Sequence, residues 1–117
     1  MSVKAIRGAI QISANSKEEI RDAVHELFPE ILRSNNIGIT DVISVIITCT
    51  PDITAEFPAG FAREIGFGNT PLLCAVEMNV EGAMKLVIRT LMHVNMDGQA
   101  SHVYLRGAYA LRKDIAQ

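Results

Sequence analysis

The sequence has few of the residues that mark several common classes of protein. It holds two cysteines, Cys49 and Cys74, and no CxxC pair. A disulfide framework is therefore not expected, and a reducing cytoplasm fits best. No apolar run approaches the roughly 20 residues that a membrane span requires. Arg7 interrupts the apolar residues near the N-terminus, where a signal peptide would need its core. We therefore expect no membrane association.

The motifs of several catalytic and binding classes are missing as well. The net charge is −2 and no stretch is densely basic, which argues against a nucleic-acid partner. The three histidines form neither HxxxH nor HExxH, so a zinc site is not expected. Neither GxxxxGK[ST] nor GxSxG occurs. Cys74 could be a nucleophile, but a small hydrophobic residue in a strand is its commoner meaning.

The sequence does contain enough apolar residues for one real core. Hydrophobic residues make up 49% of its 117 residues, which predicts one domain over residues 1–117. The mean hydropathy of +0.22 is high for a small monomer. It indicates that another subunit covers part of the apolar surface.

Hydrophobic periodicity predicts a mixed α/β (α+β) domain in the order β-α-β-α-β-β-β. One long helix would cover one face of a single five-stranded sheet, and the exposed face would pack against a neighbouring subunit. The long helix begins with a capping box between Ser16 and Glu19, and Pro29 predicts a kink or a break within it. The other predicted elements are strands at 3–12, 42–49, 71–76 and 103–111, with a short helix at 58–66.

Residues 81–96 fit two structures, and the role of Arg89 depends on them. As a helix, the segment would place Lys85, Arg89 and His93 on one face. As a strand, Arg89 would project from the face opposite Ile88 and Met92, and the β-branched residues favour this alternative. A guanidinium remains charged at any working pH and is costly to bury unpaired. Either a protein carboxylate or a ligand anion must therefore meet Arg89.

Arginines on several elements suggest a site for a small polycarboxylate. Arg7 and Arg89 lie on strands and Arg63 on the short helix. Converging arginines suit such a ligand because each guanidinium can bind a carboxylate through two hydrogen bonds. Each arginine taken alone also has a plainer explanation. Arg63 could be a solvated helix residue, and Arg7 or Arg89 could form an ion pair with Glu77 or with Glu81.

A set of short motifs resembles the monofunctional chorismate mutases of the trimeric Bacillus type. Each motif is weak alone, but they stand in the family's order at nearly constant spacing across almost the whole chain. They are Ile6-Arg7-Gly8-Ala9, Thr50-Pro51-Asp52, Phe57-Pro58-Ala59, Ala62-Arg63-Glu64, Cys74 with Glu77-Met78, Ile88-Arg89, His102-Val103-Tyr104-Leu105, and Leu111-Arg112 with Asp114.

This resemblance implies a homotrimer with a pseudo-barrel core and active sites at the subunit interfaces. It implies the Claisen rearrangement of chorismate to prephenate, a step of the shikimate pathway toward aromatic amino acids. No cofactor, metal or covalent intermediate is implied. The resemblance also favours the strand for residues around Arg89, which corresponds to the arginine on the family's strand.

The resemblance assigns roles to individual residues of this sequence. The implied catalytic residues are Arg7, Glu77, Arg89 and Tyr104, with Arg89 directed at the ether oxygen. The residues implied to contact or enclose the substrate are Phe57, Ala59, Arg63, Leu73, Cys74, Leu111 and Arg112. Gly60 stands where relatives often carry a lysine, which should weaken the attraction of a dianionic substrate but not the chemistry.

Two other functions remain compatible with the same residues. A trimeric module could bind a small carboxylate metabolite in the same clefts without catalysis. A small-imine deaminase of similar shape could also place an arginine at a trimer interface. Glu77 together with Arg89 and Tyr104 favours the mutase.

Overall fold

A computed structural model describes residues 2–111 and contains one five-stranded sheet. Its strands are β1 (Ser2–Gln11), β2 (Val42–Cys49), β3 (Leu72–Val76), β4 (Val87–Met96) and β5 (Val103–Leu105). They lie side by side in the order β3-β2-β4-β1-β5. Its two α-helices are α1 (Lys17–Ser34) and α2 (Pro58–Ala62), and a π-helical segment (Arg63–Phe67) directly follows α2. The mixed sheet and the predicted order of elements are confirmed, and so is the strand that carries Arg89.

The pairing of the strands places distant parts of the chain next to one another. Strand β4 is antiparallel to both of its neighbours, β1 and β2. Strand β1 is also parallel to β5, with Ala9 opposite Tyr104, and β2 is parallel to β3. Arg89 is opposite Ala9 on one side and Thr48 on the other. Residues from four strands therefore meet around the middle of β4.

Both helices pack on the same side of the sheet, which we call the helix face. The apolar stripe of α1 is fully buried there. Phe28 of α1 packs edge-to-face against Phe67, with 5.1 Å between the ring centroids. The strands contribute every second residue to this core, including Ile6, Ile47 and Met92. The opposite side, which we call the open face, carries the alternate residues of the same strands.

Helix α1 differs from the sequence prediction in two details. The capping box is only half formed: Ser16 accepts a hydrogen bond from the Glu19 amide at 3.2 Å. The Glu19 carboxylate instead accepts hydrogen bonds from Ser13 at 2.9 and 3.1 Å. Of the kink or break predicted at Pro29, the break is wrong, since α1 continues to Ser34. Pro29 is exposed, and the buried residues around it keep both halves of the helix on the sheet.

The last strand is shorter than predicted. It ends at Leu105 rather than at residue 111, and a 3-10 helix follows from Arg106 to Ala110. Arg106 turns the chain with a φ of 54°, and its guanidinium donates to Glu26 of α1 at 2.8 Å. Ala108 then packs against Ala9 on the open face. The 3-10 helix therefore covers one end of that face.

The rest of the open face is uncovered within one chain. Strand β2 lies between two neighbours, as predicted, but only its helix face is buried. Large apolar side chains are exposed on the open face and along the β3 edge: Val3, Ile46, Leu73, Val76, Met78 and Val80. Within the described part of the chain, no helix is long and apolar enough to cross a membrane.

Candidate functional site

A pocket of about 330 Å³ lies on the open face, and we call it the arginine pocket. Its lining includes Arg7 and Ala9 of β1, Thr48 of β2, Arg89 of β4 and Tyr104 of β5. The pairing of the strands explains this grouping. Ala9, Thr48, Arg89 and Tyr104 form one row across the sheet, and Arg7 is one pair of residues away.

Glu77 holds the Arg89 side chain at the edge of this pocket. The Nε of Arg89 donates to both carboxylate oxygens of Glu77, at 3.1 and 3.0 Å. The Thr48 hydroxyl donates to Oε2 of the same carboxylate at 2.7 Å. The Arg89 side chain is 38% exposed and that of Glu77 is 16% exposed. A protein carboxylate therefore does meet Arg89, as the plainer explanation required.

That ion pair occupies only one of the three nitrogens of the guanidinium. Among residues 2–111, none forms a hydrogen bond with the two terminal NH₂ groups of Arg89. An arginine has five N–H donors, so four remain for a ligand. Glu77 thus orients Arg89 and leaves its anion-binding end unoccupied.

Arg7 and Tyr104 add further donors around the same pocket. The Arg7 side chain is exposed, and no described residue pairs with its guanidinium, while its backbone amide donates to Nδ1 of His102 at 2.9 Å. Tyr104 is buried against Ala9 and Ala108. Two guanidinium groups and one phenol therefore border a single cavity, a donor set that suits an anion with more than one carboxylate.

The other residues singled out by the sequence lie elsewhere in the chain. Phe57 is 72% exposed and, with Cys74, lines a second pocket of about 340 Å³ beside the β3 edge. Ala59 is a buried residue of α2, and Arg63 follows α2 and is exposed. Leu73 is 62% exposed on the open face, opposite Ile46. One chain therefore does not bring these five residues into the arginine pocket.

Cys74 and Glu77 lie on opposite faces of the sheet. Cys74 packs against the core on the helix face, whereas Glu77 follows the end of β3 and reaches Arg89 on the open face. This is what alternation along a strand requires for residues three apart. Cys49, which lies near Cys74, is buried, and this burial raises the pKa of its thiol to about 12. Its thiol therefore stays protonated at neutral pH and is a poor nucleophile.

Leu111 and Arg112 belong to the end of the chain. Leu111 is half-buried and packs against the cluster of Ala9, Tyr104 and Ala108, so it lies beside the arginine pocket. Arg112 falls outside the described residues.

The Asp52 carboxylate and the Thr50 hydroxyl fix the start of β4, two residues before Arg89. Leu86 has a φ of 58°, and its amide donates to the Asp52 carboxylate at 3.0 and 3.1 Å. Asp52 also accepts from the Thr50 hydroxyl at 2.5 Å, and that hydroxyl accepts from the Val87 amide. Burial opposes ionisation of Asp52, but these hydrogen bonds outweigh it and hold its pKa below the ordinary value.

Thr48 is the residue of this site that the motifs missed. A signal was present in the sequence, because Thr48 is a polar residue in the apolar run of β2. Alternation from the buried Ile47 places it on the open face.

Comparison with known proteins identifies relatives along nearly the whole chain. A family model described as chorismate mutase type I matches residues 3–115. The chorismate mutase AroH of Thermus thermophilus is 42% identical over 117 residues, covering 97% of this chain and 96% of that protein. The chorismate mutase AroH of Bacillus subtilis is 36% identical over 120 residues, covering 99% of this chain and 94% of that protein. The solved chorismate mutase of Clostridium thermocellum superposes with a TM-score of 0.89 at 41% identity, covering 92% and 98% of the two chains.

Proposed function

This chain belongs to the type I chorismate mutase family, and from that premise we propose that it converts chorismate to prephenate in aromatic amino-acid biosynthesis. The observation that carries the proposal is the arrangement of Arg89. Its Nε is tied to Glu77, and its terminal NH₂ groups remain available in a pocket that Arg7 and Tyr104 also line.

The chemistry of the rearrangement calls for such a fixed cation. A C–O bond breaks while a C–C bond forms, and the ether oxygen gains negative charge in the transition state. A guanidinium aimed at that oxygen stabilises the transition state more than the substrate, which is the condition for catalysis. We assign this role to Arg89. We assign Arg7 and Tyr104 to the substrate's side-chain carboxylate and its neighbouring oxygen.

Glu77 has the capacity for a second role. An ionised carboxylate offers about four lone-pair positions, and three are used by Nε of Arg89 and by Thr48. The remaining position on Oε1 is suited to accept the ring hydroxyl of chorismate. The negative charge of Glu77 would also favour the positive character that the ring gains. No metal or cofactor is required for any of these steps.

The expected rate gain can be divided among these contributions. A million-fold acceleration corresponds to about 8 kcal/mol of barrier lowering. One well-placed charge-assisted donor contributes roughly 3–4 kcal/mol, by analogy with oxyanion holes. Arg89 would therefore supply about half. Selection of the compact, reactive conformer of the substrate and the remaining donors would supply the rest.

We further propose that the active chain is a homotrimer in the cytoplasm, with a pseudo-barrel core and active sites at the subunit interfaces. The exposed apolar residues of the open face and the β3 edge support an interface, because apolar patches of this kind are uncommon on monomers. A second copy would bring the remaining wall to the arginine pocket. That wall would consist of Phe57, Ala59, Arg63 and Leu73, with Leu111 and Arg112 near the opening. Cys74 would be a lesser contact to the ring hydroxyl of the substrate.

A direct assay tests the function. Purified protein is incubated with chorismate, and the loss of chorismate and the appearance of prephenate are followed spectroscopically. We expect acceleration by several orders of magnitude. A rate equal to that of the uncatalysed reaction would eliminate the mutase and leave a carboxylate-binding module or a different enzyme.

Sedimentation at micromolar concentration tests the assembly separately. We expect a trimeric mass. A monomeric mass combined with full activity would contradict the proposal that the sites lie at subunit interfaces.

A further inference from the structure

We propose that Thr48 is a positioning residue for the rearrangement, which acts by fixing the Glu77 carboxylate that orients Arg89. The proposal extends the function proposed above and rests on it. Thr48 belongs to none of the motifs on which the resemblance depends. It is assigned here from its place in the sheet and from its hydrogen bond.

The register of the sheet places Thr48 directly beside Arg89. The two residues are paired across β2 and β4, and both project from the open face. The hydroxyl of Thr48 donates to Oε2 of Glu77 at 2.7 Å, within the range of strong hydrogen bonds to a carboxylate. Oε2 is also the oxygen that lies 3.0 Å from Nε of Arg89. One carboxylate oxygen therefore joins Thr48 to the arginine.

Glu77 needs this support because it lies just beyond the end of β3. Its backbone amide donates to the Cys49 carbonyl at 2.9 Å, which fixes the start of the side chain. The carboxylate at the other end still has three rotatable bonds of freedom. Threonine is β-branched and its side chain on a strand is stiff, so its hydroxyl is a well-defined anchor. Thr48 therefore selects one orientation of the carboxylate from several.

This arrangement affects the transition state more than the bound substrate. Ground-state binding draws on all the donors around the pocket, including Arg7, which does not contact Glu77. Stabilisation of the breaking C–O bond depends most on the aim of the Arg89 guanidinium. A small error in that aim lowers kcat while leaving KM almost unchanged.

The first experiment compares Thr48→Val with Thr48→Ser in the chorismate assay. Valine keeps the shape of threonine and removes the hydroxyl, whereas serine keeps the hydroxyl. We expect Thr48→Val to lower kcat about tenfold, with KM and the thermal midpoint close to those of the wild type. Thr48→Ser should retain kcat within about threefold. Equal activity of the valine variant and the wild type would overturn the proposal, as would a loss seen only as lower stability.

A double-mutant cycle shows whether Thr48 acts through Glu77. In the Glu77→Gln background the carboxylate is absent, so adding Thr48→Val should have little further effect on kcat. If the two effects simply multiply, Thr48 acts by another route and the proposal is wrong.

A measurement on the free protein separates this proposal from the proposed function. Hydrogen exchange at the Arg89 Nε–H is followed by NMR in the wild type and in Thr48→Val, with the signal assigned from Arg89→Lys. We expect exchange to be several-fold faster in Thr48→Val, because the carboxylate that covers this proton is less well held. Unchanged exchange would overturn the positioning role even if chorismate is converted. Faster exchange in a protein that does not convert chorismate would uphold the contact and refute the mutase.

Discussion

The two faces of the sheet are built from the same strands and differ in almost every other respect. On β4, Ile88, Met92 and Val94 point to the helix face and are completely buried. The intervening Arg89 and Leu91 point to the open face and are only partly buried. The helix face is filled by α1 and α2, whereas the open face holds the arginine pocket.

The difference shows that neighbouring residues of one strand serve different purposes. One side chain packs in the core and stabilises the fold, and the next one faces the pocket. A substitution on the helix face changes the volume of a close-packed core. A substitution on the open face changes charge or hydrogen bonding in a pocket that the core does not depend on. The two kinds of change should therefore be visible in different measurements, even when the substituted residues are adjacent in sequence.

The largest effect is expected on the open face, from Arg89→Lys. Lysine retains the charge but lacks the planar group that bonds Glu77 and the substrate at the same time. We expect kcat to fall by about 10³-fold in the chorismate assay, with a small change in thermal midpoint. Arg33→Lys is the matched control, because Arg33 is exposed on α1 and its guanidinium pairs with Glu30, far from the arginine pocket. Near-normal kcat for the Arg89 variant would show that its assigned role is wrong.

The next effect contrasts an aliphatic residue of each face. Ile31 of α1 is fully buried, so Ile31→Ala should lower the free energy of unfolding by about 3 kcal/mol in urea denaturation. Leu73→Ala removes an exposed side chain and should instead weaken the trimer, seen as partial dissociation in sedimentation at low micromolar concentration. Equal losses of stability with an unchanged trimer would contradict the distinction between the faces.

A smaller effect is expected from two glycines in contrasting surroundings. A Cβ at Gly8 would lie 2.6 Å from Cδ1 of Ile31 and 2.7 Å from Oγ1 of Thr90. We therefore expect Gly8→Ala to cost about 1–2 kcal/mol in urea denaturation, because these buried side chains must move. Gly60 in α2 has nothing within 4 Å, so Gly60→Ala should be neutral or slightly stabilising. If both substitutions change the free energy of unfolding equally, close packing around Gly8 does not explain the loss of stability.

The smallest effect is a pH dependence from Asp52. Its pKa is lowered from the ordinary value of 3.8, so its contribution to stability is present above that pH. The contribution is lost as the pH falls through the lowered pKa. Asp52→Asn should lower the free energy of unfolding by less than about 1 kcal/mol at neutral pH. Below about pH 4, the stability of the variant should fall less steeply with pH than that of the wild type. Thermal midpoints measured from pH 2 to pH 7 test this, and parallel curves for the two proteins would contradict it.

Most of the fold could be predicted from alternation and from helical spacing. The β-branched run of β2 and the apolar stripe of α1 carry strong local signals, and both elements occur where they were expected. Two predictions failed for tertiary reasons. The break at Pro29 does not occur, because the buried residues around it keep both halves of α1 on the sheet. Tyr109 and Leu111 continue the alternation of β5, but the chain turns at Arg106, whose guanidinium is held by Glu26 of α1. That contact is distant in sequence, so no local pattern reveals it.

The candidate site was less accessible from the sequence than the fold. Arg7, Arg89 and Tyr104 could be grouped by resemblance, and the pairing of the strands does place them around one pocket. The role of Thr48 depends on the register between β2 and β4 and on where β3 ends, which periodicity does not determine. Phe57 and Arg63 lie away from the pocket in one chain, so their grouping with it remains a prediction about the assembly.

The position of β1 has a consequence for how the molecule is made. Its amide at Arg7 bonds to His102, 95 residues further along the chain, and its partner Tyr104 arrives with the same late segment. During synthesis, α1 and the β2–β3 pair can form before that segment leaves the ribosome. The pocket cannot close until it does, and such long-range pairing is slow. Because β4 joins β1 to β2 and itself ends at Met96, just before that segment, the nascent chain would complete its sheet, its core and its pocket at nearly the same late stage.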